Sequence, residues 1–435
     1  MRLYLRKILI LCVVLVFLWF VVSLVDEFPV KKTSNKYADQ LESKIMQLER
    51  KLDNQLVESG KLLERVKDHL KNKQDSASKQ LENNMAFVEE DPVLPVLVIA
   101  CNRITVKRCL ENLIKFRPDK ETFPIIVSQD CDHEPTYQVI ESFTQDDPTI
   151  TVVKQPDQSV IPLERAKVKF RGYYNIARHY KFALDHVFVK LGHEAVIIVE
   201  DDLDISSDFY EYFLGTFPLL NSDPSIWCVS AWNDNGKKEL VEAARPELLH
   251  RTDFFPGLGW MLRRDTWASL RARWPAAFFD DWLRNPENTQ GRACIRPEIS
   301  RTYSFGKVGV SKGLFFDLHL RYMQLNMEYV EFTKLNLTYL LKDKYDHAFT
   351  TLVYSLPEAT ADEVMAGQGG EGAVRVPYST AKTYQRAAKR LGLMEDFRSG
   401  IPRTAYRGIV QCYVRGRRVY LAPDFLWTRY DPAWG

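Results

Sequence analysis

The sequence predicts a mostly parallel α/β domain, carried on an N-terminal membrane anchor and helical stalk, with a smaller C-terminal domain behind it. Three observations lead there. Runs that are apolar throughout, such as "PVLVIAC", "FPIIVSQDC" and "AVIIVEDD", alternate with helical patterns after residue 92, as in a parallel sheet covered on both faces. Residues 8–25, "ILILCVVLVFLWFVVSLV", carry no charge. Residues 38–75 are helical in pattern and nearly free of Gly and Pro.

The anchor comes first in the chain. Residues 8–25 would span roughly 27 Å as a helix, close to the thickness of a thin bilayer. The run exceeds the apolar core of a usual signal peptide, and "SLVDEFPV" lacks a small-x-small cleavage pattern. Arg2, Arg6 and Lys7 precede the span and favour a cytoplasmic tail at residues 1–7, against a weaker vote from Lys31 and Lys32 beyond it. The body would then be lumenal, where disulfides persist. Of the seven cysteines, none forms a CxxC pair or a Cys/His cluster with zinc spacing.

Residues 26–91 read as a stem. Leu41, Ile45, Leu48 and Leu52 keep a four-three spacing, and Leu56, Leu63, Val66 and Leu70 resume it after a four-residue offset, a stutter that a coiled coil absorbs. Self-association through this stem is one reading; a single charged helix is the other. The 435 residues exceed one small domain, and a net charge of +2 provides no basic field for nucleic acid.

In the body, "TVKRCLENLIKF", "TYQVIESF" and "YYNIARHYKFALDHVFV" are the helices, and "TITVVKQ" and "IWCVSAWN" add strands. Ligands of parallel sheets bind at the carboxyl ends of the strands. The sequence puts Asn102 and Arg103, Gln129 and Asp130, Glu200 to Asp202, and Asn233 to Asn235 there. Cys101 and Cys131 also sit at such ends; neighbouring strands run about 4.8 Å apart, so these two could bridge. Cys109, on an apolar helix face, should remain a buried thiol. There is no GxGxxG after the first strand, no GxxxxGK[ST] and no GxSxG, which speaks against a dinucleotide oxidoreductase, a P-loop enzyme and an elbow hydrolase.

Three adjacent acids at a strand end repel one another unless a cation joins them. Hard oxygen ligands select Mg²⁺, Mn²⁺ or Ca²⁺, and an ion held by one or two carboxylates keeps positions open for phosphate. The bland alternative is a loop whose acids cap the next helix, although Ser207 and Asp208 can cap "DFYEYF" without help from Glu200 to Asp202. Asp280 and Asp281 in "PAAFFDDWLR" likewise read either as catalytic acids or as a cap before "WLR".

From about residue 92 onward, "SQDC", "GYYNIARHY", "VIIVEDD", "WCVSAWNDNG", "RTDFFPGLGW", "FDDW", "GRACIRPEISRT", "YRGIV" and "DPAWG" resemble the N-acetylglucosaminyltransferase I family. These are Golgi glycosyltransferases of the GT-A fold, a Rossmann-like nucleotide-diphospho-sugar fold. The resemblance implies a nucleotide-sugar domain at residues 92–306, a lid loop and linker at 307–342 and a C-terminal domain at 343–435. It implies inverting, metal-dependent transfer from UDP-N-acetylglucosamine to a high-mannose N-glycan. Asp202 would bind Mn²⁺, Asp201 would accept from the ribose hydroxyls, and Glu200 would lie near the donor sugar. Arg103 would face the diphosphate, Asp130 would accept the uracil N–H, and His179 would sit at the nucleotide. A histidine on a helix is otherwise usually a packed or surface residue.

Inversion needs a carboxylate opposite the leaving group, and the family pattern puts that base at Asp280 with Phe279 against the donor, where the family often has Trp. Residues 304–317 would form a lid with Ser311 reaching the phosphates, and Cys228 would pair with Cys294. The "NLT" at Asn336 is a glycosylation sequon. The competing readings are a related transferase acting on O-linked mannose, a sugar-binding protein with a dead site, and a scaffold driven by the stalk.

Overall fold

The computed structural model describes residues 92–435, except 308, 311, 312, 369 and 435, with Lys44 and Lys51 alone before them. The anchor at residues 8–25, the cytoplasmic tail and the coiled-coil spacing of the stem therefore lie outside the described residues. Among the described residues no helix is long and apolar enough to cross a membrane. Residues 92–435 fall within one unit, Asn84–Gly435.

The first half of that unit alternates as its sequence predicts. In order come β1 (Val96–Ala100), α1 (Val106–Phe116), β2 (Ile125–Gln129), α2 (Glu134–Asp146), β3 (Ile150–Lys154), α3 (Arg171–Asp185), β4 (Ala195–Glu200), β5 (Leu203–Ile205), α4 (Phe209–Ser222) and β6 (Ile226–Ser230). β1 is buried along its whole length, and its side chains divide by the period of two. Val96, Val98 and Ala100 enter one hydrophobic core with α1 and α4; Leu97 and Ile99 enter the other with α3. α1 buries Val106, Cys109, Leu110 and Leu113, the one-sided spacing of an amphipathic helix.

The later elements are β7 (Leu249–Thr252), β8 (Trp260–Arg263), α5 (Arg264–Arg271), α6 (Phe279–Leu283), α7 (Pro286–Thr289), β9 (Ala293–Pro297), β10 (Thr302–Ser304) and α8 (Leu314–Leu318). The main sheet has eight strands in the order β3-β2-β1-β4-β8-β6-β9-β7. Only β8 and β7 run against the others. The sheet is thus mixed and mainly parallel, with an antiparallel strand inserted between β4 and β6. β8 has only four residues and its segment carries no alternation, so sequence periodicity does not reveal it.

The chain closes with α9 (Lys342–Ser355), α10 (Ala361–Met365), β11 (Val374–Pro377), α11 (Ala381–Leu391), β12 (Phe397–Arg398), β13 (Ile401–Pro402), β14 (Val410–Val414) and β15 (Arg417–Ala422). β14 and β15 form an antiparallel hairpin over "IVQCYVRGRRVYLA", turning at Arg415 and Gly416, both with positive φ. This segment has its own core around Tyr384, Ala388, Leu391, Val410 and Val419. It also lends Tyr345, Phe349, Tyr406 and Tyr420 to the core under the main sheet.

Candidate active site at the carboxyl ends of β1 and β4

The order 3-2-1-4 has a topological switch between β1 and β4, since the chain leaves β1 toward β2 on one side and returns to β4 on the other. Register fixes the two ends side by side, with Ile99 level with Glu200. Such a crevice is where open α/β sheets bind ligands. Arg103 follows β1 and the acids follow β4, so their side chains converge. Arg103 Nη1 lies 2.7 Å from Asp202 Oδ2, and Nη2 binds Asp201 Oδ1. The backbone N–H of Asp201 donates to Ile99 O at 3.1 Å, which seats the acid loop on β1.

Charge crowding leaves its mark here. Burial, and then the charge of Asp202, raise Glu200 to about 7. Burial raises Asp201 to about 6 against the pull of Arg103. Tyr180 Oη donates to Glu200 Oε1 at 2.8 Å. Asp201 Oδ2 is buried with no hydrogen-bond partner. No group of three His, Cys, Asp or Glu among the described residues could hold a metal by itself. This donor set fits a divalent ion held by one carboxylate, Asp202, with its other ligands coming from a bound substrate, and it leaves the open oxygen of Asp201 for a hydroxyl donor.

The nucleotide-side candidates sit at the end of β2. Asp130 is buried; its N–H donates to Ala100 O at 2.9 Å, and Gln158 Nε2 donates to its Oδ1 at 3.0 Å. His179 on α3 is buried, with Nε2 2.8 Å from Ser128 Oγ, and burial lowers it to about 4. It is thus a neutral ring at neutral pH. Beyond Asp130 the turn runs through two left-handed residues, Cys131 and Asp132, next to the Cys101–Cys131 disulfide. The Cα atoms of that pair are 5.2 Å apart. Cys228 and Cys294 are joined across the paired strands β6 and β9, and Cys109 is a free, buried thiol.

Phe279 and Asp280 open α6. Phe279 is buried against Tyr180, ring centroids 4.1 Å apart, and stacks on Trp274 at 5.5 Å. Tyr180 therefore links the acid motif to the Asp280 segment, a connection the sequence does not mark because a helix tyrosine usually reads as core. The residue before it, Phe278, has φ +52, a conformation rare for a bulky side chain. Asp280 is half-exposed, and Arg284 Nη1 donates to Asp280 Oδ2 and Asp281 Oδ1, both at 2.9 Å. The cap reading of the two acids fails, because no side chain caps α6.

The cap reading of Asp208 fails as well. Asp208 starts α4 without a capping bond and is instead wholly buried against Arg301 at 3.1 Å.

Ser311 lies outside the described residues, but both flanks of its loop are placed. The N–H of Phe305 donates to Asp202 O at 3.0 Å, and a Cβ on Gly306 would run into the Asp202 carboxylate. Val310 packs on Gly172 at the start of α3. The flank at Phe305 and Gly306 thus lies against Asp202. Asn336 of the sequon is exposed, and its Oδ1 accepts from Thr338 Oγ at 2.7 Å.

Acids and a guanidinium meeting at a switch point suit a donor that carries phosphate, which makes group transfer from an activated nucleotide the class of chemistry this fold serves. The family follows from sequence comparison. The GNT-I family model matches residues 5–434, and the chain belongs to the GNT-I family of glycosyltransferases. One curated relative, the alpha-1,3-mannosyl-glycoprotein 2-beta-N-acetylglucosaminyltransferase of Arabidopsis thaliana, is 36% identical over 416 residues, covering 90% of this chain and 92% of its own. Two solved structures align more weakly. A mannosyltransferase from Pyrobaculum calidifontis in complex with GDP-Man and Mn²⁺ has a TM-score of 0.29 at 16% identity, over 42% of this chain and 47% of its own. TarS from S. aureus has a TM-score of 0.32 at 13% identity, over 48% and 60%. Likeness at that level carries no argument about the site.

Proposed function

We propose that the chain transfers N-acetylglucosamine from UDP-N-acetylglucosamine to the 2-hydroxyl of the α-1,3-linked mannose of a high-mannose N-glycan, the step that opens hybrid and complex N-glycan synthesis. The observation that carries the chemistry is the continuous wall from Asp202 through Glu200, Tyr180 and Phe279 to Asp280. It supports reading Asp202, the proposed cation ligand, and the half-exposed Asp280 as parts of one site.

In this reading Asp130 accepts the uracil N–H beside the neutral His179, and Asp201 accepts from the ribose. Asp202 would hold a divalent cation, Mn²⁺ in our proposal, and such an ion would supply positive charge at the departing diphosphate. Arg103, beside the same acids, would face the diphosphate, where its planar guanidinium suits phosphate oxygens. The mannose oxygen attacks the anomeric carbon as the bond to UDP breaks, and the hydroxyl proton passes to Asp280. One displacement inverts the anomer. Phe279, held by Tyr180 and Trp274, keeps water from that side of the donor. Ser311 and its loop close over the phosphates.

A lumenal, Golgi-anchored body belongs to the same proposal, on the strength of the uncharged run at residues 8–25 and the basic residues before it. The test is transfer of labelled N-acetylglucosamine from UDP to a five-mannose N-glycan. We expect a β-1,2 product with Mn²⁺ and none with chelator; product of equal yield in chelator would refute the metal role, and no product on any mannose acceptor would refute the activity.

A further inference from the structure

We propose that the acceptor glycan is held by a polar cluster on the far side of Asp280, built from Asp234, His319, Asp396, Arg398 and Arg403. The proposal rests on the transferase reading above and names where its neutral sugar substrate binds. Asp280 stands between two sets of contacts. Tyr180 and Phe279 connect it to Glu200 and the acid motif, while Arg284 and Asp281 connect it to this cluster. A nucleophile that attacks opposite the leaving group must approach from the second side.

The cluster joins the end of β6 to the β12–β13 hairpin. Arg403 Nη1 lies 2.6 Å from Asp234 Oδ1, and its Nε lies 2.8 Å from Asp396 Oδ1. Arg398 Nε is 3.6 Å from Asp281 Oδ1 and 3.8 Å from Asp396 Oδ2, beyond hydrogen-bond range of both. The charges of Arg403, Arg284 and Asp396 reach Asp234, and those of Lys237, Arg403, Asp396 and Asp234 reach His319. Asp234 is only 4% exposed.

Three atoms of this cluster are buried without a hydrogen-bond partner: Asp234 Oδ2, His319 Nδ1 and Arg398 Nε. Native structures rarely leave such atoms unpaired, because each forfeits its bond to water. The three include a carboxylate acceptor and a guanidinium donor. A hydroxyl donates and accepts at once, so vicinal hydroxyls can serve both. Lys237, Arg284, Arg398 and Arg403 offset the charge of Asp234, Asp280, Asp281 and Asp396, which suits a neutral polyhydroxylated ligand over an ionic one.

The experiment uses the full chain with Arg398→Met and His319→Leu made singly. We measure KM for the five-mannose glycan, KM for UDP-N-acetylglucosamine, and glycan affinity by calorimetry in the presence of UDP and Mn²⁺. Arg398→Met should raise the acceptor KM and Kd by roughly ten- to a hundredfold, the effect of losing a hydrogen bond to a charged group, and His319→Leu by roughly two- to tenfold, the effect of losing one to a neutral ring. The donor KM should hold, which also reports that the variants fold. Acceptor constants that stay at wild-type values in both variants would overturn the proposal, as would a parallel loss of UDP affinity. If the wild type transfers to no mannose acceptor, the transferase reading falls first, and calorimetry still decides the cluster. Glycan binding that weakens in Arg398→Met supports it; no glycan binding by the wild type refutes it.

Discussion

Two acidic stretches lie six residues apart, and the fold treats them in opposite ways. Asp208 is completely buried with its oxygens filled: Ser206 Oγ donates to Oδ1 at 2.6 Å, while Arg301 and Asn326 donate to Oδ2 at 3.1 and 2.9 Å. Asp201 is equally hidden, yet Oδ2 is unpartnered, and burial has raised its carboxyl to about 6. A buried charge with every bond made is scaffold. A buried charge with a bond left open, next to two other acids, is the pattern that marks a candidate binding site. The sequence shows acids in both places, and only their partners tell them apart.

The sharpest way to break this contrast is to remove one acid from each side of the donor site and compare the losses. Asp202→Asn weakens a hard oxygen ligand, so UDP affinity measured with Mn²⁺ should fall together with turnover. Asp280→Asn should cost about a hundred- to ten-thousandfold in kcat while UDP still binds nearly normally. Loss of UDP binding in Asp280→Asn would move that residue into the donor site and leave the base unassigned.

The next effect is on stability. Asp208→Asn leaves Arg301 as a buried, uncompensated charge, which costs about 3–5 kcal/mol. Denaturant unfolding should show that loss, with kcat per folded molecule unchanged. An unfolding midpoint equal to wild type would mean that the pair is not the strut proposed here.

The smallest effect concerns pH. His179 is lowered from 6.5 to about 4 by burial, so the unfolded chain takes its proton first as pH falls. Stability from this residue is full above about 6.5 and is lost as pH drops toward 4, about 2 kcal/mol of it between pH 7 and pH 5. His179→Gln should flatten that part of the curve, and an unchanged slope would show that other groups govern it.

Much of the fold is legible because it is written locally. β1, β2 and β4 announce themselves as runs buried on both faces, and the acids at the end of β4 mark the strand end at the topological switch. The β14–β15 hairpin is visible in its alternation and its Arg-Gly turn. Resemblance to a family, rather than periodicity, named Asp280, His179 and the Cys228–Cys294 pair. What the sequence does not contain is who meets whom. Arg103 reaches Asp202 across 99 residues, Asn326 reaches Asp208 across 118, and Arg403 reaches Asp234 across 169. Strand order, with β8 slipped antiparallel between β4 and β6, is set by the packing of both sheet faces at once. Backbone preference and hydrophobic period act over a few neighbours, so the sequence alone determines elements and the residue types at their ends. Whether a carboxylate becomes a strut, a base or a cation ligand depends on charges brought close by the whole fold, and that is decided only in the tertiary structure.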